Sequence, residues 1–195
     1  MHSLQEIPES EMILAFIRAE AEAWPNRYQG SGLEPSDYGR DADPRDEAQN
    51  QRRRSALARA RGYGQNQLLF TWVPYDVTWY RARITVEELG GFQHLNYWTF
   101  VDLTRGSRLV RDGSRNLGSV QVGESLDQRI LDLSKAVSDG ERHPPLIAGA
   151  PNTGASPVIL EGNKRASAYV REAPPEEELE IILGVSPNVS AMPFF

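Results

Sequence analysis

The chain contains no cysteine, so disulfides, thiolate metal sites and thiol catalysis are excluded outright. Histidine is scarce: His2, His94 and His143 are the three, and their spacing matches no metal-ligand pattern. No apolar run approaches the ~20 residues that cross a bilayer, and the acidic N-terminus lacks the basic region of a secretory signal. Long repeats and low-complexity tracts are also missing. These absences lead us to expect a cytoplasmic protein with no membrane partner. A net charge of −6 argues against a surface that grips nucleic acid everywhere, although a local basic patch survives that argument. What is present is ordinary for a packed globule: 195 residues, 39% hydrophobic and 25% charged, enough for one large domain or a small domain plus an arm.

Residues 9–24 read as an amphipathic helix, with Met12, Phe16, Ala19 and Ala23 at spacings of three and four, Ser10 as a cap and Pro25 as the stop. Residues 26–46 have no period and read as a long loop. A second helix near 46–60 carries Arg52, Arg53, Arg54, Arg59 and Arg61. Such a cluster could meet phosphates, or Asp41, Asp43, Asp46 and Glu47 could balance it on a solvated face. Gly62 and Gly64 then mark a boundary. We therefore expect a helical arm over 1–65, serving as a lid, a dimer arm or a small domain, and an α+β domain over 66–195 with a mixed sheet and flanking helices.

After the boundary the composition turns aromatic and β-branched. Strands are expected over 68–73 and 95–103; after a turn at Pro74-Tyr75-Asp76, residues 76–84 read as an extended stretch or a strand running into a loop. Thr85 stands three residues before Glu88, the spacing of a capping box around one helical turn. Tyr97, Trp98 and Phe100 could stack on a base, but strand aromatics are more often core. Residues 104–115 repeat Gly-Ser-Arg, and Arg108, Arg111 and Arg115 form either an anion-binding lip or a hairpin of exposed arginines.

Leu126, Ile130, Leu133 and Val137 set a helix over 124–139, with Gly140 ending it. A turn through His143-Pro144-Pro145 enters a hairpin over 146–160. The run Val158-Ile159-Leu160 then stops at Glu161, turns on Gly162 and restarts as a helix at Asn163-Lys164-Arg165. Backbone N–H groups at a helix start lack intrahelical partners and carry partial positive charge, so this turn suits a phosphate. Lys164 and Arg165 add full charges there. Glu161 could accept a proton from a hydroxyl or hold Mg²⁺ through water, and His143 could contact the ligand. Each also has a plainer reading, Glu161 capping its own turn and pairing with Arg165, and His143 packing before the prolines. A last strand is expected over 179–184.

From residue 124 onward, the order of elements resembles the ParB/sulfiredoxin-like fold. There a helix ends at Gly-x-x-Gln-Pro, and a hairpin leads to an acid, a glycine and an arginine at a helix start. Here the two motifs stand as Gly140-Glu141-Arg142-His143-Pro144 and Glu161-Gly162-Asn163-Lys164-Arg165. The resemblance implies a nucleotide ligand (ATP, ADP or CTP) with Mg²⁺. Asn163 replaces the catalytic cysteine of sulfiredoxins, which excludes their chemistry, and it also replaces the hydrolytic glutamate of partition proteins. The nearest match is the acid-Gly-His-x-Arg of free-serine-kinase-like members, which implies a phosphotransferase acting on a small hydroxylated molecule. A non-catalytic nucleotide- or nucleic-acid-sensing module and a ParB-like nuclease remain alternatives.

Overall fold

The computed structural model describes residues 1–64, 73–120 and 124–195. The strand expected over 68–73 lies outside the described residues except for Val73, which is buried. Strands β1 (His2–Ile7), β2 (Thr78–Thr85), β3 (Leu146–Ala150), β4 (Val158–Glu161) and β5 (Glu178–Val185) form one mixed sheet in the order β1-β2-β5-β3-β4. Among these five strands, the β3–β5 pair alone is parallel. The helices are α1 (Glu9–Ala23), α2 (Pro35–Tyr38), α3 (Glu47–Arg61), α4 (Val86–Gly90), α5 (Trp98–Leu103), α6 (Val110–Asn116), α7 (Glu124–Ser138) and α8 (Asn163–Glu172). The molecule is thus α+β. No described helix is long and apolar enough to cross a membrane.

The strands are read by their alternation. Trp79, Ile147 and Ile182 point to one face, where Met12, Ile13, Phe16 and Ile17 of α1 and Leu57 of α3 cover them. Ala82, Ile84, Leu146, Ala148, Ile181 and Leu183 point to the other, with Leu89 of α4, Val110 of α6 and Ala166 and Tyr169 of α8. The residues expected as an N-terminal arm therefore contribute an edge strand and one helical layer to a core shared with the rest of the chain.

Local signals held where chemistry, not tertiary contact, decides. Thr85 Oγ1 accepts from Glu88 N–H while Glu88 accepts from Thr85 N–H, so the capping box forms as spaced. Asp46 caps α3. At α1, Pro8 is the N-cap residue, and Ser10 lies buried inside the first turn instead.

Two expectations are corrected. Residues 98–103 form a helix, not a strand, because Phe100 and Leu103 at i and i+3 bury against Leu126 and Ile130 of α7, and that contact overrides the aromatic β preference. Residues 110–116 are likewise helical, not part of a hairpin: Ser114 Oγ donates to Ser167 O and clamps α6 to α8.

Candidate functional site

The turn between β4 and α8 requires its glycine. Gly162 has φ +94°, and a Cβ there would stand 2.5 Å from Leu146 Cδ2 and 3.0 Å from Arg165 Nη2. Gly162 occupies the N-cap position and no side chain caps the helix. Ala166 N–H closes the first intrahelical bond to Gly162 O, leaving the N–H groups of residues 163–165 without intrahelical partners.

This turn forms one wall of a cleft of about 450 Å³. The C-terminal end of α1 supplies Ala19, Glu22, Ala23 and Trp24; α7 supplies Arg129, Asp132 and Leu133; Leu95 and Phe100 close the third side. That volume lies within the range of small-molecule sites, and the apolar lining with a few convergent polar groups is their usual character.

The charges lining the cleft are not alike. Each carboxylate already has a partner: Glu22 meets His143 Nδ1 at 2.6 Å, Asp132 accepts from Gln128 at 2.8 Å, and Glu161 meets Arg165 Nη2 at 3.4 Å. Arg165 is buried and also donates to Pro144 O at 2.5 Å, so its guanidinium braces the 142–145 turn from inside. Lys164 makes no hydrogen bond or ion pair with any described residue. Arg129 makes none with a carboxylate; its guanidinium lies 4.1 Å from the centre of the Trp24 ring. Burial lowers the Lys164 ammonium below its usual value, Arg129 repels it further, and Glu161 opposes both.

The Asn163 side-chain amide is already committed within the protein. Its Oδ1 accepts from His94 Nδ1 at 3.0 Å and Leu95 N–H at 3.2 Å, while Nδ2 donates to Ile159 O at 3.1 Å. Because an amide oxygen cannot donate, the proton of neutral His94 sits on Nδ1, and Nε2 accepts from Ser167 Oγ at 3.2 Å. His94 is fully buried and stacked on Phe100 at 4.7 Å. Burial foremost, and Arg108 secondarily, push its pKa down to about 4 against the Asn163 bond.

Of the residues read from sequence, Glu161, Gly162, Asn163, Lys164 and Arg165 all line the cleft, though only Lys164 presents an uncommitted cation. His143 is turned away: its ring packs edge-on to Tyr169 and acts on the cleft only through Glu22. Arg108, Arg111 and Arg115 do not line it. Arg108 donates through Nε and Nη2 to His94 O at 3.0 and 2.8 Å, and Arg115 is solvent-exposed, 4.0 Å from Asp112. The α3 arginines are also committed. Arg52 binds Asp37, Arg54 meets Glu47, Arg59 donates to Ser31 O and Arg61 pairs with Glu20. Arg53 is fully buried.

Sequence reasoning missed Arg129 and Trp24. Arg129 follows Leu126 by three residues and precedes Leu133 by four, a cation on the edge of an apolar stripe; Trp24 is a lone aromatic between a helix and Pro25. No family model, curated protein or solved structure matches the chain.

Proposed function

We propose that the cleft binds a phosphorylated small molecule of the nucleotide class (ATP, ADP or CTP). The observation that carries this reading is the convergence of Lys164 and Arg129, two mutually repelling cations without carboxylate partners among the described residues, on one cleft at the open start of α8. A phosphate between them would relieve the repulsion and accept the free N–H groups of the turn. The succession α7, turn, β3, β4, turn, α8, β5 supports the ParB/sulfiredoxin-like reading of this half of the chain. Glu161 is the one cleft carboxylate on the turn itself. A single carboxylate together with ligand phosphates is a common Mg²⁺ environment, so its donor chemistry suits that ion, which would neutralise phosphate charge when bound.

As a phosphotransferase, the protein would position an acceptor hydroxyl beside Glu161. The hydroxyl oxygen bonds to the terminal phosphorus, the bond from phosphorus to the bridging oxygen breaks, and the proton passes to the carboxylate. The nucleic-acid-sensing alternative loses the support of the α3 arginines, which are occupied within the chain.

Thermal-shift measurement with ATP, ADP and CTP, with and without Mg²⁺, tests the reading. A nucleotide at 100 times its Kd adds about 2.7 kcal/mol to folding stability. Glu161→Ala is expected to keep that shift and lose transfer to a hydroxylated acceptor. A wild-type protein that no nucleotide stabilises would refute the proposal, and a shift without any transfer would leave a sensing module.

A further inference from the structure

The apolar side of the cleft has its own feature, and it lies outside the segment that carries the family resemblance. Trp24 follows the last residue of α1, lines the cleft and is 46% exposed, a large exposure for an indole. Two guanidiniums lie against the ring, Arg129 at 4.1 Å from its centre and Arg27 at 5.6 Å. Neither arginine has a carboxylate partner among the described residues. A cation over a half-exposed ring is weakly held. A phosphate oxygen offers the same guanidinium charge-assisted, bidentate hydrogen bonds, which are stronger.

The two ties therefore compete for one side chain, and a phosphate wins. We propose that Trp24 is the ring-stacking subsite of the cleft: the phosphate of a bound nucleotide draws Arg129 off the indole, and the base takes the vacated face. This rests on the nucleotide reading above and adds which residue receives the base. It also explains why an arginine on α7 and a tryptophan on α1, far apart in sequence, share one cleft with Lys164. The exchange conserves contact, because the indole trades a cation for a flat ring and the cation trades a ring for an anion.

Inorganic tripolyphosphate separates the two parts of the ligand, since it carries the phosphates and no base. With the full chain, calorimetric titration of ATP and of tripolyphosphate is compared in wild type, Trp24→Leu and Trp24→Phe. Base stacking on an aromatic side chain predicts ATP binding weakened on the order of tenfold in Trp24→Leu and largely kept in Trp24→Phe. Tripolyphosphate binding should be unchanged in both, or slightly tighter in Trp24→Leu, where Arg129 is released. ATP quenching of the fluorescence that Trp24→Phe removes is the second readout. Equal losses for both probes, or no loss for either, would overturn the subsite and leave the phosphate site standing. Failure of both probes to bind wild type would remove the nucleotide reading and this subsite with it.

Discussion

Two groups of cations behave oppositely in this molecule. The arginines of α3 are the densest positive run in the sequence, yet the fold uses them internally. Arg53 donates to Asp37 O, Asn50 Oδ1 and Gln49 Oε1, each at 2.5 Å, and to Asp43 O at 3.2 Å. Together with Arg18, which donates to Tyr38 O and Gly39 O, it ties down the carbonyls of the 37–43 loop. Among the described residues, the cleft is lined by a lysine and an arginine without carboxylate partners. The lesson is that a cation's meaning lies in its partners: carbonyls that need donors consume an arginine, whereas a helix start that already offers donors leaves its lysine free.

The largest effect should come from breaking the first group. Arg53→Ala strands buried carbonyls and side-chain oxygens at once, and we expect a loss of about 3 kcal/mol or more, measured as a lower midpoint in urea. Nucleotide affinity of the remaining folded protein should not change. A small stability loss with weakened nucleotide binding would invert the comparison.

Behind the cleft, His94 belongs with the structural polar groups. Its folded pKa of about 4 lies below the ordinary 6.5, so the unfolded chain takes up the proton first as pH falls. The stability from its neutral burial is complete above about 6.5 and drains away as pH falls towards 4, by about 3 kcal/mol at most. Asp37 and Asp76, whose carboxyls are held below the usual range, act at more acid pH than this window, and Glu178, lowered from 4.5, overlaps only its acid end. Urea denaturation at pH 7, 6, 5 and 4.5 should show the slope in wild type, and His94→Asn, which can keep the donor to Asn163 without an ionisable ring, should flatten it.

The turn at Glu161–Arg165 and the helix at 124–138 were legible because they rest on local rules: a glycine at the turn and a three-and-four spacing. The cleft's other walls were not. Trp24 reaches it only because α1 packs across one face of the sheet, and Arg129 only because α7 lies against α8. Residues 98–103 misled for the same reason, since Phe100 and Leu103 answer to α7 and not to their own β preference. Likewise Arg165 and Lys164 are neighbours of similar charge, and nothing local says which one the 142–145 turn will claim. Sequence showed where the charged turn of the cleft would stand, and packing chose the side chains around it.

The smallest stability effect sharpens the comparison most. If Lys164 is held for a ligand, removing its charge should not harm the free protein, because burial and Arg129 both disfavour the ammonium where it stands. Lys164→Met keeps the apolar stem and deletes the charge. We expect its unfolding free energy within about 0.5 kcal/mol of wild type, with any change upward, and nucleotide binding weakened on the order of tenfold. That split between stability and binding is the opposite of Arg53→Ala. A Lys164→Met protein that is markedly less stable would mean that the lysine serves the fold after all, and that the cleft presents one free cation where we count two.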